Sequence, residues 1–398
     1  MMSLGSVLKM NKQALLIGSS YSALPLLFEL NKNNIDVSVC GKNTDDPCHK
    51  FSKKSYFIDY SKTDDIMPIF KEENFDYIIP SCNDTSYLTC IEIANQYNLP
   101  GFDTIEKSRI LHNKKNLRNF LENNKFPTPA LVSAQEVQSI SRKNQVFLVK
   151  PVDSFSGRGI SKINSESNIY NAIQHAKNHS ISNRYIIEEF KEGALHSVSA
   201  FIKDGQIIDD FFVDEFCSVY EYQVDCSYLS IKLTTKQKER VRNCVQELIT
   251  NLTLSDGLLH VQFISRGNEF WIIECMRRCP GDLFYHMIEL STGTNYKALY
   301  LNSFTNHTVM PVATSKPIKY ISRHTITSNK KSKFMSFNCN IPDCKQFEFF
   351  PLKYSGEYLN EAPNDKAGIL FSKFSTQQTL VQHAKKLASY IEINSNDK

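Results

Sequence analysis

Lys150 closes an apolar run, Val146-Phe147-Leu148-Val149, and is followed by Pro151. Burying its ammonium unpaired would be costly, so on its own it reads as a side chain snorkelling to the surface. A few residues on, Ser156-Gly157-Arg158-Gly159 forms a flexible loop whose backbone N–H groups can close over phosphates. Glycine turns between strands are common. A strand-end cation beside such a loop is less so, and together Lys150, Ser156, Gly157 and Gly159 describe a phosphate site.

Two further stretches hold acidic groups at strand ends. In Ile186-Ile187-Glu188-Glu189-Phe190 the acids suit a solvent-exposed edge. Taken alone, that reading prevails; the functional reading is a hinge for adenine, with an acidic or carbonyl acceptor for the amino group and a backbone donor near Lys191. In His260-Val261-Gln262-Phe263 and Trp271-Ile272-Ile273-Glu274, two neighbouring antiparallel strands would bring Gln262 and Glu274 face to face, with apolar residues on the opposite side. An oxygen pair of this kind suits Mg²⁺, which draws much of its shell from a nucleotide. The competing reading is a salt bridge from Glu274 to Arg277 or Arg278. Arg278 has the fixed donor fork needed to hold a carboxylate or steady an acyl phosphate.

The elements that must position these groups follow from hydrophobic patterning. Gln13 to Ile17, the turn Gly18-Ser19-Ser20, a helical pattern through Leu24, Leu27, Phe28 and Leu30, and a strand at Ile35 to Cys40 open a doubly wound α/β domain. Phe75 to Pro80 is a further buried strand. It leads into Ser81-Cys82-Asn83-Asp84, where such folds hold ligands, and Leu99-Pro100-Gly101 marks the domain's end. Beyond it a helix is expected over Lys114 to Asn123, a hairpin turning at Asp204-Gly205, a helix over Thr235 to Leu252, and an amphipathic helix over Gln377 to Ile391.

With 398 residues, two or three domains are expected. The formal charge of +4 comes without a dense basic stripe, which argues against a nucleic-acid partner. Apolar runs are too short to span a bilayer, and the N-terminus lacks the regions of a signal peptide, so a cytoplasmic protein without a membrane partner is expected. Eleven cysteines at irregular spacing read as reduced thiols rather than a disulfide framework.

The order of these features resembles the ATP-grasp superfamily over about residues 13 to 300. Lys114, Lys150, the glycine loop, Glu188-Glu189-Phe190, and the Gln262/Glu274 pair with its trailing arginine fall in sequence. The stretch from Asn113-Lys114 through Arg118, Phe120 and Leu121 to Pro127-Thr128-Pro129 looks like the family's opening helix. The resemblance implies α/β and α+β architecture: a doubly wound domain over 12–101, a small lobe over 102–185, a large lobe over 186–310 and a small C-terminal region over 311–398. It also implies ATP with Mg²⁺ (Mn²⁺ as an alternative). Lys114 and Lys150 would contact phosphates, Gly157 to Gly159 would form the lid, and Glu188 with the backbone of Glu189, Phe190 and Lys191 would hold adenine. Gln262 and Glu274 would bind the metal, and Arg278 with Lys150 would act in catalysis.

Two departures stand out. Met276 replaces a familiar metal-site asparagine, and Leu195 a ribose-binding glutamate, for which His196 or the nearby Glu192 would substitute. The activity implied is a carboxylate–amine ligase that works through an acyl phosphate, with small-molecule carboxylate and amine substrates and room for a homo-oligomer. A carboxylase-type or formyl-phosphate-type enzyme, and a nucleotide-binding regulator without turnover, are the alternatives.

Overall fold

The computed structural model describes residues 11–139, 145–154, 157–164, 167–306 and 319–396. Four parallel strands form the first sheet in the order Lys54–Tyr56, Ile35–Cys40, Lys12–Ile17, Tyr77–Pro80, with the first strand in the chain at its centre. Helices Leu24–Lys32 and Thr63–Glu72 connect strands of this sheet and helix Asp84–Tyr97 follows its last strand in the chain, giving the expected doubly wound domain. Asn83 caps the last helix by accepting from the Ser86 N–H, which sets Asp84 at the carboxyl edge of the sheet.

The small lobe is a three-stranded antiparallel sheet, Ser161–Ile163, Phe147–Pro151, Tyr185–Glu189, with helix Ile169–Asn178 on one side. Phe147, Val149, Ile163, Ile173 and Ile187 give it a core of its own. The large lobe is built on an eight-stranded antiparallel sheet that begins with Glu269–Met276, Gly257–Arg266, Ala194–Lys203, Gln206–Phe216 and Cys226–Leu229. Its hairpin turns at Asp204 and Gly205, both at positive φ, as the right-handed strand twist favours. Helix Thr235–Leu252, opened by a Thr234/Gln237 capping box, covers one face.

Two boundaries differ from those drawn on the sequence. Helices Ile105–His112 and Lys114–Asn123, grouped above with the small lobe, bury Leu111, Leu117 and Leu121 in the large-lobe core. The C-terminal strands Tyr320–Ile326, Gly368–Phe374 and Cys344–Pro351 extend the large-lobe sheet beyond Cys226–Leu229 instead of standing apart. The expected last helix is α-helical only over Gln377–His383. It tightens to a 3₁₀ helix at Ala384–Tyr390 and becomes the strand Ile391–Asn396, whose partner strand Ser332–Cys339 outweighs the local helical pattern. All eleven cysteines are free thiols. Among the described residues no helix is long and apolar enough to cross a membrane.

The uncovered side of the large sheet packs, through helices Phe284–Thr292 and Tyr296–Thr305, against the N-terminal domain in one continuous core. Arg277 fastens this junction. Its Nε donates to Asp103 Oδ2 at 2.7 Å, while Nη1 and Nη2 donate to the carbonyls of Leu258 and Ser255 at 2.8 and 2.7 Å. Both partners of the ion pair are buried. Arg277→Ala would leave the Asp103 carboxylate enclosed and unpaired, so urea unfolding should show a loss of about 3–5 kcal/mol.

Candidate active site

The Asn113 side chain caps helix Lys114–Asn123 by accepting from the N–H groups of Lys115 and Asn116, which brings Lys114 to the lobe junction. Lys114 Nζ donates to the Ser154 carbonyl at 2.7 Å and lies 3.4 Å from Glu274 Oε1. One turn later Arg118 points inward. Its Nε donates to Glu188 Oε2 at 2.9 Å, and its Nη2 donates to the Ile273 carbonyl at 2.8 Å. The other oxygen of Glu188 accepts from Lys150 Nζ. Three sequence-predicted residues from separate stretches thus meet at the lobe junction, Lys114 beside Glu274 and Lys150 on the buried Glu188 carboxylate.

Burial alone would raise the Glu188 pKa, but Arg118 and Lys150 hold it below its usual value and keep the carboxylate charged. Lys150 is lowered, chiefly by burial and further by Arg118 and Lys114, with Glu188 opposing. Three cations, Lys114, Arg118 and Lys150, face two carboxylates, Glu188 and Glu274. The excess of one positive charge suits a polyphosphate.

Glu188 was expected as an adenine acceptor, and here its side chain is committed to two cations. Strand alternation explains the change, because Glu188 turns inward and Glu189 turns out. Glu189, Phe190 and Lys191 instead line a groove of about 380 Å³ with Gln145, Val146 and Lys162. Lys191 pairs with Glu189 at 2.6 Å, and Lys162 Nζ stands 4.0 Å over the Phe190 ring. Charged and polar side chains, Glu192 and Arg266 among them, make up most of the lining, with Val146 and Phe190 as its apolar members. In the glycine loop, Gly157 and Gly159 both have positive φ. A Cβ at Gly157 would meet the Tyr222 carbonyl oxygen at 2.7 Å, and one at Gly159 would meet His179 Cβ at 2.6 Å. Neither position accepts a side chain without strain. Ser156 lies outside the described residues.

On the large sheet Gln262 and Glu274 are direct register partners, immediately before a bulge at Gln262/Phe263. Gln262 Nε2 donates to Glu215 Oε2 at 2.7 Å, and Ser197 Oγ donates to Glu215 Oε1 at 2.6 Å. Glu215 was not singled out on the sequence, although an acid within the apolar run Phe211-Phe212-Val213-Asp214-Glu215-Phe216 is a signal in itself. Its pKa is raised, burial outweighing the two donors. His196 does not join this row. It lies on the other face, where its Nδ1 pairs with Asp214 at 2.8 Å and its ring stacks on Phe263. The residue next to Ser197 in a strand must point away from it, so the ribose role expected of His196 has no support in its position.

Among the described residues no group of three or more His, Cys, Asp or Glu could hold a metal unaided. Glu274 and the Gln262 carbonyl fit an ion that takes the rest of its shell from phosphate. Met276, in the same strand, is buried.

Neither arginine after this strand pairs with Glu274 in a salt bridge. Arg278 forms a two-pronged pair with Asp84 of the N-terminal domain, Nε to Oδ1 at 3.0 Å and Nη2 to Oδ2 at 3.1 Å. His112 Nδ1 lies 3.0 Å from the same Oδ1. Glu274 still reinforces the Arg278 charge from a distance. Asp282, at positive φ, accepts from Tyr21 Oη at 2.6 Å and from Lys366 Nζ, with Arg323 Nη1 at 3.8 Å. The loop from Arg278 to Asp282 is thus clasped by the N-terminal domain, through Asp84 and Tyr21, and by the C-terminal part of the chain, through Lys366 and Arg323.

Residues 111–281 match the family model described as the ATP-grasp domain. The chain carries an ATP-grasp domain. The match spans Lys114, Lys150, the glycine loop, Gln262, Glu274 and Arg278, and solved structures resemble the whole chain in fold. A phosphoribosylglycinamide synthetase from Anaerococcus prevotii superposes with a TM-score of 0.75 at 20% identity, covering 97% of this chain and 100% of its own. An L-amino acid ligase from Bacillus licheniformis gives 0.76 at 15%, covering 98% and 100%. By sequence the chain is similar to the formate-dependent phosphoribosylglycinamide formyltransferases of Prochlorococcus marinus and Methanocaldococcus jannaschii. The former is 24% identical over 82% of this chain and 84% of its own, the latter 28% over 66% and 69%.

Asp282, at the far end of the loop from Arg278, offers a test of this geometry. Burial alone would raise its pKa, yet Lys366 and Arg323 hold it at about 2. A carboxyl that titrates below its unfolded value of 3.8 stabilises the fold fully above that pH, and the contribution disappears as pH falls towards 2. Asp282→Asn should therefore lower the urea midpoint by a steady amount near neutrality. The gap to the unaltered protein should close between pH 3.8 and about 2.

Proposed function

We propose that this chain uses ATP to activate a carboxylate as its acyl phosphate and passes the acyl group to an amine, releasing ADP and phosphate. The observation that carries this reading is the convergence of Lys114, Lys150 and Glu274 at the lobe junction, with one positive charge in excess. The substrate carboxylate attacks the γ-phosphorus of ATP, and the β–γ bridging oxygen leaves with ADP. Lys114 and Lys150 meet the charge that spreads over the phosphate oxygens. Mg²⁺, or Mn²⁺, would be held by Glu274 and Gln262 and would supply Lewis-acid neutralisation of those oxygens.

Arg278, kept in place by Asp84, orients the carboxylate and then the acyl phosphate. The amine attacks the acyl carbon, phosphate leaves, and the amide forms. Positioning and electrostatics suffice for such a sequence, so no protein nucleophile is needed. Asp282, which already accepts from the Lys366 ammonium, has the chemistry to receive an acceptor amine. The adenine lies in the groove of Glu189, Phe190 and Lys191.

Formate is the first carboxylate to try. The formyltransferases to which the chain is similar are named as formate-dependent, and the formyl-phosphate route differs only in the size of the acyl group. Phosphate release should be measured with formate, bicarbonate and amino acids, each with and without candidate amines. Release that needs both a carboxylate and an amine supports the ligase. MgATP binding with no release for any pair would overturn it. Glu274→Ala should cut phosphate release at least about 100-fold and leave the melting temperature close to that of the unaltered chain. Persisting activity would remove Glu274 from the metal site.

A further inference from the structure

Arg118 has no task in the reaction just described, yet it is among the largest fully buried side chains. Its helix belongs to the large-lobe core through Leu117 and Leu121. Its guanidinium nevertheless reaches Glu188 on the small-lobe strand Tyr185–Glu189, and the carbonyl of Ile273 on the large-lobe strand Glu269–Met276. Glu188 holds Lys150, and Ile273 immediately precedes Glu274. One rigid planar group thus lies between the lysine assigned to the phosphates and the carboxylate assigned to the metal.

Stability does not account for this arrangement. Buried ion pairs are often no better than apolar groups of the same volume. Arg118 also keeps its Nη1 enclosed with no hydrogen-bond partner among the described residues, an unmet donor of the kind that costs about 1–3 kcal/mol. A strand of apolar contacts would join the lobes more cheaply, but it would leave Lys150 and Glu274 without a common reference. A guanidinium, with donors fixed in one plane, supplies that reference, and a lysine cannot.

We infer that Arg118 is a positioning residue that sets the Lys150 ammonium relative to Glu274, gripping Glu188 in one lobe and the Ile273 carbonyl in the other. The inference rests on the reading of Lys150 as a contact to the ATP phosphates. Arg118 touches neither nucleotide nor metal and acts through Lys150.

The test is calorimetric titration of the full chain with MgATP and, separately, with adenosine, which has no phosphates. Four proteins are compared: unaltered, Lys150→Ala, Arg118→Lys and the double variant. Arg118→Lys should weaken MgATP about tenfold, the size of a coupled contact, and leave adenosine affinity unchanged. In the Lys150→Ala background the same change should cost less than about twofold, because its route is already gone. Equal weakening of adenosine and MgATP would reduce Arg118 to a fold residue and overturn the inference. Additive losses in the double variant would do the same. If Lys150→Ala itself leaves MgATP affinity unchanged, the nucleotide reading beneath the inference falls first. Should Arg118→Lys not fold, Glu188→Gln neutralises the carboxylate that the guanidinium grips. It carries the same expectation and the same overturning results.

Discussion

A charged carboxylate enclosed between two lobes must be paired on every side, and Glu188 is such a group. With Arg118 on one oxygen and Lys150 on the other it stays ionised despite its burial. The requirement constrains much of the surrounding chain. Helix Lys114–Asn123 has to pack where Arg118 can reach inward, and strand Tyr185–Glu189 has to present Glu188 rather than Glu189 to the interior. Strand Glu269–Met276 has to bring a carbonyl to Arg118 just before Glu274. Lys114, four residues before Arg118, is carried to the same junction by helical periodicity.

The large sheet separates its two jobs by face. Glu274, Gln262, Ser197 and Glu215 form a polar row towards the lobe junction, while Val261, Phe263, Val198 and Cys275 pack beneath helix Thr235–Leu252. Alternation with a period of two makes this division obligatory. It places Gln262 beside Glu274 and, by the same rule, sends His196 to the opposite side with Asp214.

The loop from Arg277 to Asp282 joins the site to the rest of the molecule. Arg277 is fixed by Asp103, Arg278 by Asp84, and Asp282 by Tyr21 and Lys366. Two of these partners, Asp84 and Tyr21, come from the N-terminal domain, and Lys366 comes from the C-terminal part of the chain. Any carboxylate or amine lying along this loop would be surrounded by residues from both ends of the sequence. A substrate surface built along this loop, as proposed above, would have no compact sequence motif.

Local chemistry and periodicity were readable without the fold. The doubly wound opening, the helix Lys114–Asn123, the turn at Asp204-Gly205 and the Gln262/Glu274 pairing all depend on nearest neighbours and strand or helix period, and the structure reproduces each. Which of two adjacent acids, Glu188 or Glu189, turns inward depends on where the lobes meet, and the sequence carries no mark of that. The same holds for Arg118 and Asp84, whose partners lie 70 and 194 residues away. It holds too for the C-terminal strands, which add to a sheet edge formed a hundred residues earlier. The residue types and spacings of the Lys150 region led to the expectation that it meets phosphates. That Lys150 is held by Glu188, and Glu188 by Arg118, was decided only in three dimensions, because a buried charge takes whichever countercharge packing brings to it.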